Sequence, residues 1–227
     1  MQPETMHQQS EAAGPMREEE TPTNGHARHH ARRRAASAQT TAQRKARPHF
    51  NRGETERRLL RWSAAAQHYK LAVEHDPQNP FYRYRLGGAL LALGEPHQAV
   101  PELEVACNLA PESGFYHFLL GDLYAKLGLL EEAVAAMRQA SNLEPVDAYY
   151  SARLGHLYLR IGCAQEAAVA FHQAVRADPT NASYHYLLGD ACVRMGAERQ
   201  ALVHYRKAGA LGSYNAAVLE KSRRHGT

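Results

Sequence analysis

The stretch "YHFLLGDLYAKLG", residues 116–128, returns as "YHYLLGDACVRMG" at residues 184–196, 68 residues later. Midway between them stands "YYSARLGHLYLRIG", residues 149–162, so the underlying period is 34. From residue 80 onward the chain can be written in lines of that length without an insertion. Leu and Gly stand together at Leu86 and Gly87, Leu120 and Gly121, Leu154 and Gly155, Leu188 and Gly189, with a second glycine seven places on at Gly94, Gly128, Gly162 and Gly196. Alanines follow at Ala99, Ala133, Ala167 and Ala201, then a large residue at Leu103, Met137, Phe171 and Tyr205, then Ala106, Ala140, Ala174 and Ala208. Pro111, Pro145 and Pro179 close three of the lines.

Each position has a physical task. The last residue before each line is Asn79, Ser113, Asp147 or Asn181, short side chains that accept from the free N–H groups of a starting helix. The glycine at position 15 suits the left-handed residue that ends a helix, so a first helix, A, of about thirteen residues turns tightly into a second, B. The proline at position 32 cannot continue helix B. Small residues at positions 8, 20 and 27 let the two helices approach, and large ones at 7, 11 and 24 fill the seam. One such hairpin cannot bury its own apolar face, so neighbours must stack.

A helix-turn-helix line of 34 residues carrying Leu-Gly, Ala, an aromatic and Pro in this order resembles the tetratricopeptide repeat. The departure is at position 4, where the family's Trp is Arg83, His117, Ser151 or His185; a Tyr one place earlier, Tyr82, Tyr116, Tyr150 or Tyr184, is expected to take over its packing. The resemblance implies an all-α, right-handed superhelical solenoid of antiparallel helix pairs. Counting back one period gives a line from residue 46, whose second half complies at Ala65, Tyr69, Ala72 and Pro77. Its first half keeps Gly53 but has Arg52 and Glu56 where large apolar residues belong, as a polar terminal repeat would. The expected organisation is an arm over residues 1–45, repeats at 46–79, 80–113, 114–147, 148–181 and 182–215, and a capping helix and tail over 216–227.

In the family, the A helices line a concave face through positions 2, 5, 9, 12 and 13, and that face holds an extended peptide or a partner's helix. Positions 2 and 5 here supply seven aromatics, Phe50, Phe81, Tyr84, Phe115, Phe118, Tyr149 and Tyr186. Aromatics of this kind recur at binding hot spots, and the same rings also suit packing between neighbouring repeats. Positions 9 and 13 add Asp122 with Lys126, His156 with Arg160, and Asp190 with Arg194. The basic residues would meet an acidic partner; equally, Glu54 with Arg58, Asp122 with Lys126 and Asp190 with Arg194 have the spacing of pairs along one helix. The Lys/Asn/Arg set by which some family members clamp a chaperone's terminal carboxylate is replaced by Phe50, Glu54, Arg85, Phe118 and Asp122, so that mode is not expected.

The net charge of +4 over 227 residues is unevenly placed. Residues 1–24 carry five Glu and one Arg, whereas residues 25–49 carry seven Arg or Lys and no acid. Such a segment has too little apolar surface to offset its ordering entropy, so a disordered arm is expected. Its Arg32, Arg33, Arg34, Arg44, Lys45 and Arg47 suit weak contact with nucleic acid or an anionic surface. His26, His29 and His30 have no defined geometry for a metal, and none is expected, nor any cofactor. The three cysteines, Cys107, Cys163 and Cys192, are scattered without metal or disulfide spacing. With no signal-like apolar core, no run long enough to span a membrane and no catalytic motif, the expected protein is cytoplasmic and not an enzyme. It is a scaffold or adaptor whose partner is a protein or peptide, or alternatively an adaptor held to nucleic acid or an anionic surface by its arm. Self-association is left open.

Overall fold

The computed structural model describes residues 23–212, with side chains from residue 40 onward, and every regular element among them is an α-helix. In chain order these are α1 (Thr23–Arg58), α2 (Trp62–His75), α3 (Pro80–Ala92), α4 (Pro96–Leu109), α5 (Gly114–Leu127), α6 (Leu130–Leu143), α7 (Ala148–Arg160), α8 (Ala164–Ala177), α9 (Ala182–Arg194) and α10 (Glu198–Ala210). The chain divides into two units, Met1–Thr41 and Ala42–Thr227, and the repeats and their core belong to the second. Most of the expected arm lies outside the described residues, as does the expected capping helix; of the first unit only α1 backbone and the last side chains are described. Burial along α1 begins at Ala46, which sits in one cluster with Ala65, Tyr69, Ala72 and Tyr82.

The A helices α3, α5, α7 and α9 start at residues 80, 114, 148 and 182, one period apart. Asn79, Asp147 and Asn181 each accept from the backbone N–H two residues on, at 2.9–3.0 Å. Ser113 makes no such bond, its hydroxyl being one bond nearer the main chain than an Asn or Asp oxygen. Each B helix ends two residues before its proline, at His75, Leu109, Leu143 and Ala177.

The close approach at position 8 is tightest in the fifth repeat, where a β-carbon on Gly189 would stand 2.5 Å from the Tyr205 ring; on Gly155 it would stand 2.6 Å from the Phe171 ring. On Gly121 it would meet backbone, Met137 N at 3.1 Å and Ala133 O at 3.2 Å. The large residues opposite, Tyr69, Leu103, Met137, Phe171 and Tyr205, are 0–2% exposed, and the position-20 and position-27 alanines around them are fully buried. Position 15 is left-handed throughout, with φ of 74–82° at Gly94, Gly128, Gly162 and Gly196. In the first repeat that place belongs to Leu60, at φ 58°. There the β-carbon pays a steric cost that the glycines avoid.

Glu56, 6% exposed, faces Arg52 and Arg61 at 3.5 Å each. At position 4 the missing Trp is replaced by polar links: Arg83 donates to Glu102 of the following helix at 2.9 Å, and His117 and His185 reach the carbonyls of Pro111 and Pro179 in the turn before their helix, both at 3.1 Å. Tyr82 and Tyr150 beside that position are buried, while Tyr116 and Tyr184 are half-buried. None of the described helices is long and apolar enough to cross a membrane.

Candidate functional site

Successive A helices place their position-2 and position-5 rings against one another across each junction. Phe50 lies 5.5 Å from Phe81, Tyr84 5.2 Å from Phe115, and Phe118 5.5 Å from Tyr149, measured between ring centroids. The same position-5 rings also pack on the next repeat's position-3 tyrosine, at 4.9 Å for Phe50 with Tyr82 and for Phe118 with Tyr150, and 6.2 Å for Tyr84 with Tyr116. Phe81 and Tyr84 share helix α3 at 5.8 Å, so Phe50, Phe81, Tyr84 and Phe115 form one continuous run. At the fourth junction positions 5 and 2 are Ala152 and Ser183, and the run does not extend; Tyr186 instead packs on Tyr205.

This geometry divides the aromatic set. Phe50, Tyr84, Phe118 and Tyr186 are half-buried and hold helices together. Phe81, Phe115 and Tyr149 remain 38, 39 and 51% exposed although each is steadied on one side by the preceding repeat. The first group thus shows the packing noted for the rings, and the second keeps exposed surface.

The carboxylates at position 9 turn inward to partners of the chain itself. Glu54 accepts from the Tyr69 hydroxyl at 2.6 Å and from Arg57 at 2.9 Å, and faces Arg85 of the next repeat at 3.2 Å. Burial alone would raise its pKa, but the Tyr69 and Arg57 hydrogen bonds and the charges of Arg85 and Arg57 outweigh it and hold Glu54 below the usual range. Asp122 accepts from Lys126 at 2.8 Å and pairs with Arg153 of the next repeat. Asp190 accepts from the Tyr205 hydroxyl at 2.6 Å. Burial, with these carboxylates beside them, raises the pKa of Tyr69 and Tyr205, which therefore act as neutral donors.

Of the three expected pairs along a helix, Asp122 with Lys126 forms; Glu54 takes Arg57 rather than Arg58, and Asp190 takes Tyr205. What sequence reading missed is the link from position 9 to position 6 of the following repeat, Glu54 to Arg85 and Asp122 to Arg153. The signal is there, an acid followed 31 residues later by Arg, twice. Arg85 also lies 4.9 Å above the Phe81 ring and 5.3 Å from that of Tyr84, which ties the ion pair to the aromatic run.

The remaining position-13 cations, Arg58, Arg160 and Arg194, are exposed; Arg160 donates to the Ala125 carbonyl at 3.3 Å. His156 packs edge-on to Phe171 at 5.4 Å, and partial burial and then Arg153 hold its pKa below the ordinary histidine value. Where position 9 is Gly88, a cavity of about 80 Å³ opens between the second and third repeats, bordered by Tyr84, Leu91, Asp122 and Lys126. Positions 5, 9 and 12 of one A helix thus share a surface with positions 9 and 13 of the next. Arg44, Lys45 and Arg47 are exposed on α1, whereas the side chains of Arg32, Arg33 and Arg34 and of the arm histidines lie outside those described. The described residues gather no group of three or more metal-ligating side chains. All three cysteines are free thiols, and burial, with Glu104 nearby, pushes Cys107 up to about 11.

Residues 116–147 and 152–216 match family models described as tetratricopeptide repeat. A crystal structure of MamA superposes with a TM-score of 0.66 at 22% identity, over 80% of this chain and 94% of that one. MamA from Desulfovibrio magneticus RS-1, residues 41 to the end, gives 0.64 at 24%, over 76% and 97%. YrrB, described as a TPR protein with an unusual peptide-binding site, gives 0.66 at 21%, over 78% and 91%. None of the curated proteins matches the chain in sequence. With helices, register and family models in agreement, the chain belongs to the tetratricopeptide-repeat proteins, and its solenoid is an interaction scaffold.

Proposed function

We propose that this protein is a non-catalytic, cytoplasmic adaptor that holds an extended segment or helix of a protein partner in the groove of its A helices. The observation that carries the reading is the set of rings Phe81, Phe115 and Tyr149, exposed yet each fixed against a ring of the preceding repeat. An exposed ring already held in place loses little freedom on contact, so more of its burial appears as affinity. The groove acids Glu54, Asp122 and Asp190 are bonded to the chain's own donors, while Arg58, Arg160 and Arg194 stay exposed. That balance favours a partner segment bearing acidic residues beside its apolar ones. The fold shared with YrrB, described as having a peptide-binding site, supports the same reading.

The test is a selection of displayed random peptides on the full chain, followed by affinity measurements on Phe81→Ala/Phe115→Ala/Tyr149→Ala after its helicity has been shown unchanged. Three exposed anchors at about 1 kcal/mol or more each predict a loss of roughly a hundredfold. Peptides that bind both proteins equally would refute the groove. Binding that vanishes only when residues 1–45 are deleted, and falls steeply with salt, would move the function to the basic arm.

A further inference from the structure

In three of the four position-4 sites described above, a long side chain finds a polar partner beyond its own helix: Arg83 reaches Glu102 of the following helix, and His117 and His185 reach the carbonyls of Pro111 and Pro179 in the turn before their helix. In the fourth repeat the residue is Ser151, whose hydroxyl reaches only Ser141, at 2.9 Å. A cavity of about 500 Å³ lies beside the pair, where α6, α7 and α8 meet, and it shares no residue with the groove. Ser141 and Ser151, 4 and 1% exposed, form part of its lining. Two hydroxyls supply two donors and the bond between them uses one. The second is left to donate toward the cavity.

The rest of the lining is rich in donors as well. Asn142, Gln173 and Arg176 add further donors, Pro145 and Val146 add apolar wall, and no carboxylate takes part. Arg176 brings the only formal charge of the described lining, and a planar guanidinium matches a planar carboxylate. We propose that this cavity binds a carboxylate on a short aliphatic stem, the chemistry shared by a free dicarboxylic acid and the glutamate side chain of a partner.

Amide NMR of the full chain, titrated separately with glutarate, with a capped Gly-Glu-Gly peptide and with inorganic phosphate, tests this. Saturable shifts at Ser141, Ser151 and Arg176 with either carboxylate are expected; tighter binding of glutarate assigns the source to a free acid, and tighter binding of the peptide assigns it to a partner. Arg176→Gln should weaken the binding by roughly tenfold or more, the loss of one charge-assisted contact. Ser151→His should abolish it while raising Tm, because the imidazole fills the cavity and reaches the Pro145 carbonyl as His117 and His185 reach theirs. No saturable carboxylate shifts, phosphate bound as tightly as either carboxylate, or unchanged affinity in Arg176→Gln would overturn the proposal. Should Ser151→His fail to fold, Arg176→Gln decides alone.

Discussion

Gly88 and Gly155 both lie inside A helices one register place apart, and replacing each with alanine should affect stability differently. A β-carbon on Gly88 meets nothing within 4 Å, whereas on Gly155 it stands 2.6, 2.8 and 2.8 Å from three carbons of Phe171. Phe171 is fully buried, so its ring has no open side to move into. Alanine gains about 0.8–1.0 kcal/mol of helix propensity over glycine at either site. Forcing a methyl into a filled core costs about 1–3 kcal/mol. Gly88→Ala is therefore expected to stabilise by about 1 kcal/mol, and Gly155→Ala to range from neutral to about 2 kcal/mol destabilising. The propensity gain is common to both and cancels, so the difference between the variants, about 1–3 kcal/mol, isolates the helix-helix contact. Urea unfolding followed by circular dichroism reads it as a change in midpoint at constant slope. Equal midpoints for the two variants would refute the claim that position 8 sets the approach of the helices.

Leu60→Gly should stabilise by roughly 0.5–1 kcal/mol, the left-handed strain relieved less the freedom glycine adds to the unfolded chain; thermal unfolding checks it. Asp122→Asn removes the charge that Lys126 and Arg153 share across the third and fourth repeats and should cost about 1–2 kcal/mol in the same assay. Glu54 is held below its ordinary pKa, so its contribution is present above about pH 4.3 and is lost as pH falls through the lower folded value. Glu54→Gln should flatten the acid limb of a stability-versus-pH curve in that window. Burial, and then His185 and His172, hold the His204 pKa below its ordinary value, so the unfolded chain takes up more protons below about pH 6.5 and stability falls as pH drops from there. His204→Gln should remove part of that fall, and an unaltered profile would show that the site does not contribute.

The period, the paired helices and their ends were legible because each rests on one residue type with one dominant property. Glycine at position 15 and proline at position 32 act through their own backbones, whatever surrounds them. Leu60 was not legible, since nothing local marks a leucine for a left-handed turn. The aromatic stripe could be read, but its division into steadying rings, such as Tyr84 and Phe118, and exposed ones, such as Phe115 and Tyr149, depends on which neighbour each ring meets. The links from Glu54 to Arg85 and from Asp122 to Arg153 cross a junction, so pairing within one helix does not find them. The Ser151 cavity required knowing that the histidines at the same register reach the preceding turn, as a serine does not.

The groove is tested most directly by amide NMR of the isotopically labelled full chain with a peptide obtained by selection. The account predicts that the largest shifts fall on Phe81, Gly88, Phe115, Lys126 and Tyr149, along one face of three consecutive A helices. Shifts confined to α8 and α10, or to the residues before Ala46, would contradict it.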